Sequence, residues 1–112
     1  MADSLNLLWR KYLLNAVGQT AILVTSGALT TPVGTNPINV QGANSYTVSV
    51  QTLNGTDVFR LEGRLGDEPF YTIINNINAN QLYTHAGVYD QVRLVKVSGS
   101  GTTTKVVLRY GR

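Results

Sequence analysis

The chain has 112 residues, 43% hydrophobic and 13% charged, with a formal net charge of +3 and no cysteine. That length and apolar share suit one domain with its own core, and the missing cysteines exclude disulfides, thiolate chemistry and cysteine zinc sites. No run of about 18 apolar residues occurs, so no segment reads as a membrane helix.

Charged residues stand at about half their usual share, while Thr, Asn, Ser and Gly fill 40 positions. The surface is therefore largely neutral and polar, which suits a protein packed into an assembly. The nine cations are scattered as Arg10, Lys11, Arg60, Arg64, Arg93, Lys96, Lys105, Arg109 and Arg112. They form no basic run and no RNA-binding aromatic signature, so no nucleic-acid partner is expected.

In chain order, residues 1–18 are read as an N-terminal arm or short helix and residues 19–112 as a β-sandwich domain. Leu5, Leu8, Trp9, Tyr12, Leu13 and Ala16 share one helical face, with Asp3 or Ser4 as cap and Gly18 as terminator. Leu7 and Leu14 lie off that stripe, so an arm extended along a partner competes with the helix. Asp3 and the Arg10-Lys11 step fit no secretory signal. Thr20 to Thr25 reads as a strand. Gly27 to Gly42, with Pro32 and Pro37, reads as a long irregular connection in which Ile38 and Val40 suggest a brief edge strand.

Asn44 to Leu53 alternates, with Tyr46, Val48 and Val50 inward, and Asn54-Gly55 reads as a hairpin turn. Asp57 to Leu65 puts Phe59, Leu61 and Leu65 on one face and Val58, Arg60, Glu62 and Arg64 on the other. Gly66 to Pro69 is a turn, Phe70 to Ile74 a strand, Asn75 to Asn80 a polar loop, and Leu82 to Thr84 a short strand. Two β-rich runs, Gly87 to Val97 and Thr102 to Gly111, flank Ser98-Gly99-Ser100-Gly101 and read as a terminal β-hairpin with Val92, Leu94, Val106, Leu108 and Tyr110 inward. Seven or eight strands about ten residues apart predict an all-β antiparallel sandwich or jelly roll.

The run from Val58 to Ile73 resembles a pattern of small virion proteins of tailed bacteriophages. A strand ending in Gly63-Arg64-Leu65 meets the acidic, glycine-containing turn Gly66-Asp67-Glu68-Pro69, the aromatic Phe70 and a Thr72-Ile73 strand. Gly87-Val88-Tyr89, Val92-Arg93-Leu94 and the Gly-Ser link match the C-terminal half of the pattern, so the resemblance covers about residues 46–111. Phe70 stands where the pattern usually has Trp. The resemblance implies a β-sandwich of the capsid decoration or cement type, or a head-fibre, tail or baseplate module. It carries no catalytic residue.

The residues themselves offer little chemistry. The single His85 lies in a connecting segment with no Ser or Asp tied to it, and one His without Cys cannot make a zinc site. Asp67-Glu68 lacks the alternating oxygen ligands of a calcium loop, and the Gly-Ser link lacks the Lys step and helix of a phosphate loop. No catalytic residue, metal or cofactor is expected. The leading expectation is a non-enzymatic virion protein on the capsid exterior, bound to the major capsid protein, homo-oligomeric and on the phage resemblance trimeric. Its partner-binding residues would be Leu5, Leu8, Trp9, Tyr12 and Leu13 of the arm with Thr31, Pro32, Pro37 and Ile38 of the long connection, since aromatic anchors dominate interfaces. The alternative is a host-recognition or carbohydrate-binding module of a fibre or baseplate, for which six Tyr and one Trp supply stacking rings.

Overall fold

A computed structural model describes residues 19–25, 33–53 and 55–112. The predicted arm, with Leu5, Leu8, Trp9, Tyr12 and Leu13, lies outside the described residues, as do Thr31 and Pro32. The strands are β1 (Gln19–Thr25), β2 (Val33–Gly34), β3 (Ile38–Asn39), β4 (Ser45–Gln51), β5 (Val58–Arg64), β6 (Tyr71–Ile77), β7 (Leu82–Ala86), β8 (Gln91–Ser98) and β9 (Lys105–Gly111). They form two antiparallel sheets, one in the order β1-β9-β4-β7 and the other β2-β8-β5-β6, with β3 also paired to β8. The described residues contain no helix and are all-β, as predicted.

The core lies between the sheets. Tyr46, Val48 and Val50 of β4 and Val106, Leu108 and Tyr110 of β9 face Phe59 and Leu61 of β5, Ile74 and Ile77 of β6, and Val92 and Leu94 of β8. Alternation puts those of β4, β5, β8 and β9 on one side of each strand, while in β6 the irregularity at Asn76 brings both Ile74 and Ile77 inward, and burying each contributes about 1.5–3 kcal/mol. All five inward positions predicted for the last two strands are buried.

The predicted hairpins are not hairpins. β4 lies in one sheet and β5, which follows it in the chain, in the other, and the Gly-Ser link leads from β8 to β9 across the same gap. β4 pairs instead with β9, from Ser45 on Gly111 to Gln51 on Lys105, and β8 pairs with β5. A turn signal fixes where a chain reverses; the sheet it enters is decided by which faces must be buried.

Both crossings meet at one point. The buried Asp57 carboxylate accepts from the Gly101 amide at 2.8 Å and from the Thr104 hydroxyl at 3.0 Å. Lys96 Nζ lies 3.8 Å from the same carboxylate and donates to the Gly101 carbonyl at 3.1 Å. Thr52 and Thr103 exchange hydroxyl-to-carbonyl bonds of 2.6 and 3.2 Å. Gly99, at φ +102°, presses against Asp57 so closely that a Cβ would sit 2.5 Å from the Asp57 Cα.

Three further expectations are corrected. Asn75 and Asn76 belong to β6 rather than to a loop, because β6 is an edge strand where exposed polar residues cost little and Ile77 re-enters the core. Asn76 takes φ +52° there, beside a break in the β5–β6 register. Leu65 is 49% exposed, since β5 ends at Arg64 and the turn carries Leu65 off the inner face. His85 lies within β7, paired to Tyr46, rather than in a connecting segment.

Candidate functional site

Alternation in β5 and β8 sends Arg60, Glu62, Arg64, Gln91 and Arg93 away from the core, onto the outer face of the five-stranded sheet. Register then brings them together: Glu62 lies opposite Arg93 on β8 and opposite Thr72 on β6, and Arg64 lies opposite Gln91. Glu62 is only 5% exposed, because its oxygens accept from Arg60 Nε and Arg93 Nε, each at 2.7 Å. Arg64 donates to Gln91 Oε1 from Nε at 2.8 Å and from a terminal nitrogen at 2.5 Å. Phe70, just before β6, is stacked by both neighbouring guanidiniums, with Arg64 Cζ 4.5 Å and Arg93 Cζ 4.0 Å from its ring centre. Two guanidiniums thus bracket one carboxylate and a third stands on the neighbouring Gln91, each held by a directed bond and two of the three by an aromatic face.

The arginine face runs into one end of the sandwich, where the β3–β4 loop, the β5–β6 turn and the β7–β8 link converge. Asn39, Gln41, Arg64, Gly66, Asp67, Asp90 and Gln91 line an open hollow of about 200 Å³ there. Asp90 fixes it by accepting from the Gly66 amide at 2.5 Å and from Gln41 Nε2 at 3.4 Å, while its own amide donates to the Arg64 carbonyl at 2.9 Å.

The Tyr89 ring, packed against the core, lies against Gly63 and Gly87, at each of which a Cβ would stand 2.9 Å from a ring carbon. Tyr89 Oη and His85 Nε2 are 2.7 Å apart, and the Tyr46 and Tyr89 rings are tilted with centres 5.7 Å apart. Burial pushes the Tyr46 phenol up to about 12 and raises Tyr89 as well. Phenols so shifted stay protonated near neutral pH and act as packing and hydrogen-bonding groups.

Of the predicted partner-binding residues, the structure places two. Pro37 is exposed; Ile38 opens β3, pairs with Val92 and packs partly buried against the core. Leu5, Leu8, Trp9, Tyr12, Leu13, Thr31 and Pro32 lie outside the described residues. Sequence reading missed the arginine face and the hollow. The signal for the first was present as the charge alternation Arg60-Glu62-Arg64, but Phe70 and Arg93 join it only through strand register. The hollow draws its residues from three strand ends and the three connections beside them and leaves no local trace.

No family model matches the chain, and no curated protein matches it in sequence. Among solved structures, the SPBc2 prophage-derived protein YomS is similar at a TM-score of 0.67 and 11% identity, over 83% of this chain and 91% of that one. CpGH89CBM32-4 of Clostridium perfringens, solved with GlcNAc-α-1,4-galactose bound, is similar at a TM-score of 0.54 and 8% identity, over 86% of this chain and 92% of that one. At such identities these likenesses establish a common sandwich fold.

Proposed function

We propose that the chain is a non-enzymatic structural protein of a phage virion, a capsid decoration protein that binds the major capsid protein on the outside of the head. The observation that carries this reading is the fold it shares with a prophage-derived protein, in which the sandwich makes up nearly the whole chain. Three of its chemistry-bearing groups are taken up by the fold, which agrees with this reading: Asp57 and Glu62 sit in ion pairs, and His85 is bonded to Tyr89. In this reading the apolar arm with Leu5, Leu8, Trp9, Tyr12 and Leu13, and the connection with Thr31, Pro32, Pro37 and Ile38, supply attachment, and a trimer is the working unit. A protein that binds only the assembled shell stabilises it by mass action, and many weak copies add up. The test is to add the purified protein to particles of the encoding phage from which its gene is deleted. Restored resistance of the heads to heat supports the reading; undecorated heads that stay fragile contradict it.

A second reading, a carbohydrate-binding module, is favoured by the hollow. Two amides, two carboxylates and a guanidinium-held glutamine converge there on a space of about 200 Å³, and one structural neighbour carries a bound disaccharide. A glycan array separates the readings: specific binding abolished by Asp67→Ala would favour the module.

A further inference from the structure

We infer that the outer face of the five-stranded sheet, centred on Glu62, is a docking surface for an acidic segment of a protein partner. The inference rests on the virion reading for its partner, which would be the capsid subunit.

On this face Arg60 and Arg93 pair with Glu62 and Arg64 is bonded to the neutral Gln91, three cations to one carboxylate in a chain whose whole net charge is +3, with Asp67 and Asp90 lining the hollow at the Arg64 end. Satisfying Glu62 alone requires neither the second arginine nor Arg64, whose bonded partner is the neutral Gln91. The side chains of Arg60 and Arg93 commit their Nε atoms inward yet remain 38% and 36% exposed. The guanidinium is a planar fork that matches a carboxylate through two parallel bonds. Here the forks are fixed in advance by Glu62, Gln91 and the Phe70 ring, so little side-chain freedom is lost when a ligand arrives.

The layout fits carboxylates on a protein better than a nucleic acid. A phosphate backbone needs cations repeated along its path, and the remaining described cations do not extend the cluster. Lys96 is buried at the crossing with Asp57, Lys105 and Arg109 lie on β9 in the other sheet, and Arg112 lines a separate hollow with Gly42, Ala43, Asn44 and Val88. What remains is one compact group of three arginines about Glu62, two of them stacked on Phe70, and arginine beside an aromatic is a composition common at interface hot spots.

The test uses the full chain labelled with nitrogen-15 and titrated with a hexaglutamate peptide, while the arginine Nε–Hε resonances are followed. The Arg60, Arg64 and Arg93 signals should move and that of Arg109 should not. Arg64→Gln should weaken binding about tenfold, roughly the worth of one bidentate pair, with an unchanged melting temperature, and Arg109→Gln should leave binding intact. Unmoved signals, equal weakening by both variants, or tighter binding of a short duplex DNA of equal charge would each overturn the inference. A second arm adds wild type and Arg64→Gln to particles lacking the protein. Equal occupancy by both overturns the docking surface and leaves the virion reading standing. If wild type does not bind particles while the peptide still moves the three arginine signals, the virion reading falls and the acidic-partner surface stands.

Discussion

Gly99→Asn separates the observed crossing from the hairpin that the sequence suggests. In a two-residue hairpin turn, Asn is the residue best able to replace Gly at positive φ. At Gly99 the backbone stands at φ +102°, beyond the left-handed region that Asn tolerates, and a Cβ would meet the Asp57 carboxylate and lie 2.5 Å from the Asp57 Cα. The backbone conformation should cost about 1–3 kcal/mol, and forcing extra atoms against a fixed backbone about 1–3 kcal/mol more. The displaced Asp57 would also loosen its bonds to Gly101 and Thr104. At roughly 4 °C per kcal/mol for a domain of this size, Tm should fall by about 10–25 °C. Thermal unfolding followed by circular dichroism measures this directly, with Ser100→Ala, at an exposed position of the same link, expected within about 0.5 kcal/mol of wild type. A Gly99→Asn protein as stable as wild type would refute the crossing geometry.

Leu108→Ala removes a fully buried side chain between the sheets and should cost about 2–5 kcal/mol; an unchanged urea midpoint would mean that β9 presents its other face. The phenol of Tyr46, raised to about 12 against an unfolded value near 10, favours the folded state while it is protonated. Its contribution is complete below about pH 10 and is lost as pH climbs to about 12, a loss of roughly 2–3 kcal/mol. Stability measured across that window should fall, and fall less steeply in Tyr46→Phe; identical slopes would contradict the assignment.

Local patterns were legible wherever one physical cause dominated. The alternation of Tyr46, Val48 and Val50 marks β4 because a half-buried strand needs period two, and Val92, Leu94, Val106 and Leu108 point inward for the same reason. Connectivity was not legible: Asn54-Gly55 and Gly99-Ser100 announce reversals, but the partner of β4 is β9, more than fifty residues along the chain. Asn75 and Asn76 looked like loop because Asn is depleted in strands, and only the edge position of β6 makes them tolerable. Leu65 was misplaced by extending a strand one residue past its turn. The arginine face depends on the register of three strands, so Arg60-Glu62-Arg64 was visible as an alternation without its partners Phe70 and Arg93.

The central claim, a decoration protein of the phage head, is tested most directly by counting copies. Quantitative mass spectrometry of purified particles of the encoding phage, normalised to the major capsid protein, should return on the order of hundreds of copies per head, as many symmetry-equivalent sites require. A dozen or fewer copies, or none, would contradict decoration and leave the sandwich to a fibre, baseplate or glycan-binding role.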